Sequence, residues 1–254
     1  MIIRHTFEEQ LQDLQGDLLR LGRFVEEALG KALDALVRQD AALANQIIDE
    51  DDFADDLDFE IQTRAMQLLA LQQPMARDLR VIGASLRIVL DLERIGDYAV
   101  DVAKVARGLS GQPYTAPVKD LVELGTAARQ MVGDALQTYV NRDIEQARHV
   151  AGADDDVDDK YDGVQARLIK LMRDDAASVA QATRLLLVAR SLERAADHAT
   201  NIAEYIYYVE TGEMRQLARE EHQENKHEED KTLQAFDLSP RDHDAREQKP
   251  KAED

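Results

Sequence analysis

Two stretches of this chain, "DLERIGDYAVDVAKVA" (Asp91–Ala106) and "SLERAADHATNIAEYI" (Ser191–Ile206), decide its fold. Each carries Leu-Glu-Arg, an Asp four residues after the Glu, and a third polar residue four further on. The apolar residues of the first, Leu92, Ile95, Ala99, Val102 and Ala103, recur at spacings of three and four. That period places them on one stripe of an α-helix. In the second stretch Leu192, Ala195, Ala199, Ile202 and Ala203 keep the same stripe at the same distance from the acidic row. The same amphipathic helix is written twice.

Working outward, the first half reads as three helices, roughly residues 6–39, 41–72 and 76–108. Thr6 with Glu9 has the spacing of a capping box for the first. Pro74 separates the second from the third. The segment "GLSGQPYTAP" (Gly108–Pro117) is the concentrated turn signal, near the middle of the chain. A matching set follows, roughly residues 118–141, 144–173 and 178–211, with "DDDVDDKYD" echoing the earlier "DEDDFADDLDFE". The pattern predicts an all-α protein of two tandem three-helix bundles from an internal duplication. The expected units are residues 1–110, residues 117–215, and a charged segment 216–254. From Met214 onward apolar periodicity fades, and the segment is expected to be helical at first and then disordered.

Composition narrows the function classes. The chain has 254 residues, 5% of them aromatic, no cysteine and no tryptophan. Few aromatics and few breakers favour helix over sheet. The lack of cysteine excludes disulfides, thiolate ligands and a cysteine nucleophile, and suits a reducing compartment. No apolar run approaches the ~20 residues that span a bilayer, and "MIIRHTFEEQ" has no signal-peptide pattern, so a cytoplasmic location is expected. A formal net charge of −20 disfavours nucleic acid, whose backbone needs clustered Lys and Arg.

The acids are placed in rows. With about 100° per residue, Glu93, Asp97 and Asp101 drift only about 40° per step and flank the apolar stripe. Glu193, Asp197 and Asn201 do the same in the later helix. In the second helix Ala54, Leu57, Ile61 and Leu68 set the core face, which puts Asp51 and Asp55 beside it and turns Asp52 and Asp56 away. The corresponding pair further on is Asp154 and Asp158, with Asp162 one turn later. Two readings stand side by side: a solvated or salt-bridged acidic face, with Lys104 and Arg190 as partial counter-charges, or hard-oxygen ligands for a cation. Like charges at i, i+4 repel, and the pattern is repeated twice, which is the argument for the cation.

The stretch "LLALQQPMARDLRVIGASLRIVLDLERIGDYAVDVAKVA" (Leu68–Ala106), followed by "SLERAADHATNIAEYIYYVETGE" (Ser191–Glu213), resembles the PhoU family over roughly residues 1–215. PhoU proteins are accessory regulators of the high-affinity phosphate ABC transporter and of the phosphate-sensing histidine kinase. The resemblance implies two three-helix bundles and one multinuclear metal cluster per repeat. Carried onto this chain, it assigns the first cluster to Asp51, Asp55, Glu93 and Asp97 with Asp101 beside them. It assigns the second to Asp154, Asp158, Glu193 and Asp197, with the neutral Asn201 where the first repeat has Asp101. Magnesium, manganese, iron and zinc all suit such ligands.

Other sites match less well. His198 lies about 100° around the helix from Asp197 and reads as a surface or partner-facing residue. None of the five serines sits in a Gly-x-Ser-x-Gly context. The "DDDVD" run lacks the EF-hand glycine, with Asp159 in its place, and has Gln165 where the bidentate Glu belongs. The one Glu-x-x-His run, Glu224 to His227, falls in the charged segment and not on a core helix of a di-iron protein. The expected function is negative regulation of phosphate uptake and of the phosphate-starvation response, without catalysis. The expected partners are the transporter ATPase and the kinase, reached peripherally at the membrane complex, with no nucleic acid and with a homodimer as the assembly. The alternative is a metal-dependent enzyme of phosphate chemistry using the same carboxylates.

Overall fold

Apolar stripes of period 3.6 must be covered, and helix-on-helix packing is how this chain covers them. The computed structural model describes residues 2–116 and 118–220, with side chains from Phe7 onward. Among these, the elements are α1 (Ile2–Arg38), α2 (Ala41–Asp49), α3 (Asp51–Gln72), α4 (Arg77–Leu109), α5 (Lys119–Asn141), α6 (Ile144–Gly152), α7 (Asp154–Asp174), a 3-10 turn (Ala176–Ser178) and α8 (Val179–Thr211). The described residues hold no strand. In each repeat a long first helix, a broken second one and a long third one make a three-helix bundle, as the duplicated pattern predicts.

The long second helix expected in each half is in fact two. Glu50 and Ala153 keep right-handed helical dihedrals, but tight turns there (Phe53 N to Glu50 O, 3.1 Å; Ala153 N to Val150 O, 3.2 Å) interrupt the helical ladder. The break has an electrostatic consequence. It puts Asp51 and Asp52, and Asp154 to Asp156, in the first turns of α3 and α7, where the helix dipole favours negative charge. Acid clusters at helix starts thus have one ordinary cause that the unbroken-helix reading missed. The capping box is also corrected: α1 begins at Ile2, so Thr6 lies inside the helix. Among the described α-helices, side-chain N-caps form at Asp40 on α2, accepting from the N–H groups of Ala42 and Leu43 at 3.0 Å, and at Asp143 on α6, accepting from those of Glu145 and Gln146 at 3.0 and 3.1 Å. Each follows a residue in the left-handed region, Gln39 and Arg142.

The repeats join through two antiparallel pairs. Along α4 and α8, Arg80 donates to the Val209 carbonyl (3.1 Å), His198 meets Asp91 (2.6 Å) and Arg184 donates to the Gly108 carbonyl (2.9 Å), partners running in opposite order. Along α1 and α5, Gly22 faces Leu136 and Gly125 faces Leu33 so closely that an added Cβ would come within 2.3 and 2.5 Å of a leucine methyl. The buried residues form one continuous core across both bundles, including every stripe residue named above for α3, α4 and α8. The central turn segment is pinned to both repeats: Tyr114 donates to the Leu36 carbonyl on α1 (2.5 Å) and Thr115 bonds Gln181 on α8 (2.6 and 2.8 Å). The last described turn packs back as well, with Leu217 fully buried. The disorder expected further on concerns residues 221–254, which lie outside the described residues, as does the Glu224–His227 run.

Candidate metal centre

The first acidic seam lies between α3 and α4. Asp51 opens α3, and burial raises its carboxyl, with Asp55 and then Asp97 adding repulsion while Lys104 opposes it. Glu93, midway along α4, is raised by burial and by Asp97, with Asp58 and Asp55 contributing from across the seam. Arg94 answers part of this charge, reaching Glu93 at 3.4 Å and Asp97 at 2.8 Å. So Asp51, Asp55, Glu93 and Asp97 are brought within range of one another's fields. Asp101, one turn further along α4, is exposed and pairs with Lys104 at 3.9 Å.

The second seam, between α7 and α8, is drier and more strongly perturbed. Burial, Asp197 and Asp158 push Asp154 up to about 6, against a 3.2 Å hydrogen bond from Thr200. Asp158 is raised by burial, then by Asp197. Glu193 is only 9% exposed, and burial with Asp197 beside it pushes its pKa up to about 7, although Arg190 donates to Oε1 at 2.7 Å. Asp197 is also raised by burial, with Arg194, His198 and Arg190 lowering it. Asn201 does not join this seam. Its amide donates to Asp91 Oδ1 on α4 at 3.2 Å, beside the His198–Asp91 pair. His198 is accordingly not a surface residue: its side chain is 14% exposed and faces the other repeat.

One acid was missed. Asp58 is three residues after Asp55 and seven after Asp51, so it shares their face. Its Oδ2 accepts from Gln62 at 2.7 Å, while Oδ1 is buried without a partner and burial raises its carboxyl. The i+7 step, applied to the acids as it was to the core, finds it. The second repeat has Tyr161 at that position, with Arg190 over the ring at 5.9 Å. The seams therefore differ: an extra carboxylate in the first, an aromatic ring and a second arginine in the second.

The donor chemistry suits a hard cation. Carboxylates that repel one another, and buried oxygens at Asp58 and Glu193 that no protein group satisfies, are what a cation would relieve. The standing rotamers do not close around one: among the described residues, no three His, Asp or Glu side chains are already grouped to hold an ion. Binding would draw in side chains that the seams hold nearby.

Comparison with known proteins agrees with the architecture. The profile of the PhoU domain family matches residues 18–106 and 121–206, one match per repeat. The chain belongs to the PhoU family. It is 39% identical over 215 residues to the phosphate-specific transport system accessory protein PhoU homolog of Clostridium acetobutylicum, covering 84% of this chain and 98% of that protein. The homolog of the same description from Caulobacter vibrioides is 36% identical, over 82% of this chain and 91% of its own. The crystal structure of PhoU from Pseudomonas aeruginosa superposes with a TM-score of 0.80 at 34% identity, covering 82% of this chain and all of that one (100%). That of the phosphate transport system regulatory protein PhoU from Streptococcus pneumoniae gives 0.77 at 32%, over 82% and 99%.

Proposed function

We propose that this chain is an accessory regulator of a phosphate-specific transport system, restraining phosphate uptake and holding the phosphate-starvation response off when phosphate is plentiful. It does so by bridging the transporter's ATPase and a sensor histidine kinase, as a cytoplasmic homodimer peripheral to the membrane complex. The observation that supports the accessory role is the match of both repeats, over nearly the whole described chain, to proteins named as accessory or regulatory proteins of phosphate transport systems. No helix among the described residues is long and apolar enough to cross a membrane, which is compatible with peripheral attachment.

The same reading gives each seam a divalent or iron-type cation (magnesium, manganese, iron or zinc), in a multinuclear cluster. Asp51, Asp55, Asp58, Glu93 and Asp97 hold the first, and Asp154, Asp158, Glu193 and Asp197 the second. A bound cation supplies the positive charge that these carboxylates lack. The protein's part is structural: carboxylates from two helices meet at one seam, so occupancy ties α3 to α4 and α7 to α8.

Deleting the gene tests the regulatory role. Starvation genes should be expressed in phosphate-replete medium, and a tagged copy should bring down the transporter ATPase and the kinase from replete cells. Normal repression in the deletion strain, with no second copy present, would overturn the reading.

A further inference from the structure

The outer face of α3 carries two large exposed apolar side chains, Phe59 and Met66, where the duplicate helix α7 carries one, Ile169. Along α3, Phe59, Thr63, Met66 and Ala70 recur at i, i+4, i+7 and i+11, on one side of the helix and opposite its buried stripe. Phe59 is 71% exposed and Met66 58%, and at the helix end Leu71 and Met75 are 76% and 78% exposed. The offset that carries Asp40 onto Asp143 and Asp51 onto Asp154 carries this row onto Asp162, Ala166, Ile169 and Arg173. The same frame in the second repeat folds with an acid and a base there, so packing does not require the apolar row. Exposed aromatic and methionine side chains grouped this way mark contact surfaces.

Charge decides what covers it. Asp52 and Asp56 are exposed one to two turns before Phe59, and Glu60 is exposed beside it. None of these three belongs to the carboxylates assigned to the seams. A second copy would bring the same acids and a formal charge of −20 against them. An anionic lipid surface would carry the same sign. We infer that the outer face of α3 is a docking surface for a basic amphipathic helix of another protein, its apolar side seated on Phe59 and Met66 and its Lys or Arg residues on Asp52, Asp56 and Glu60. This deepens the accessory role proposed above and rests on it only in expecting a protein partner.

The test uses purified full-length protein and a fluorescent Leu/Lys peptide of about 18 residues, roughly five helical turns. A scrambled peptide of identical composition controls for charge alone. Wild type should bind the amphipathic peptide at least roughly tenfold more tightly than the scrambled one, since burying two large apolar side chains contributes at least that much. Phe59→Asp with Met66→Asp should abolish the preference with helicity unchanged, and Ile169→Asp in the second repeat should leave it intact. Equal binding of the two peptides, a preference that survives the double variant, or one lost equally in Ile169→Asp overturns the inference. So does sedimentation showing that wild type self-associates and the double variant does not, because the occupant is then a second copy. None of these readouts depends on the phosphate phenotype, so either proposal can fail alone.

Discussion

Glu193 keeps one carboxylate oxygen on Arg190 and leaves the other buried without a partner. Burial and Asp197 move its pKa from the ordinary 4.5 to about 7. Between those values the folded chain holds a proton that the unfolded chain has lost. Stability from this group is therefore greatest on the acid side and falls as pH rises through about 7; Asp154, moved from 3.8 to about 6, adds to the fall over a lower range. In chelated protein, Glu193→Gln should flatten the drop in melting temperature between about pH 5 and pH 7.5, since Gln cannot ionise. Melting curves across that range check this, and an unchanged slope would contradict it. Much of the residue scale was readable: the i, i+4 rule found eight carboxylates that the fold gathers into two seams. Asp101 and Asn201 obey the same rule but drift another 40° around the helix, enough for Lys104 and Asp91 to claim them.

Helix ends separate what periodicity reveals from what it hides. The stripes of α3, α4 and α8 were legible because burial imposes a 3.6-residue period whatever the partner. The break at Glu50 was not, since no glycine or proline marks it and the backbone stays in right-handed helical dihedrals; the break at Ala153 had only Gly152, the last residue of α6, as its signal. The left-handed backbone at Gln39, Gln73 and Arg142 was hidden because none of them is glycine, although Pro74 marked the turn that follows Gln73. The caps that follow two of these turns are duplicated, and their effect should be too. Asp40→Ala and Asp143→Ala should each cost about 1 kcal/mol in urea denaturation. The double variant should lose about twice that, because the caps share no partner. A cost near zero for either would mean that the α1–α2 or α5–α6 turn is held by its surroundings instead.

The molecule as a whole is two copies of one bundle joined by antiparallel α4–α8 and α1–α5 pairs into a single core. The duplication was written in the sequence, but the polar clamp between the copies was not: Asp91 lies 107 residues from His198 and 110 from Asn201, and they meet only because α4 and α8 run antiparallel. Asp91→Ala should strip His198 and Asn201 of their shared acceptor and cost on the order of 3 kcal/mol in equilibrium unfolding. A loss of only a few tenths would show that the clamp does not hold the repeats together. The central claim is that each copy carries its own cation seam, and it is tested most directly by metal stoichiometry from elemental analysis, paired with melts with and without chelator. Wild type should retain metal at both seams. Asp97→Asn and Asp197→Asn should each lose the metal of one seam and its stabilisation, independently of the other, while melting no lower than wild type once chelated, because like-charge repulsion is relieved. Wild type that retains no metal after loading, or variants that melt like wild type in every condition, would contradict it: the acidic rows would then be solvated faces and nothing more.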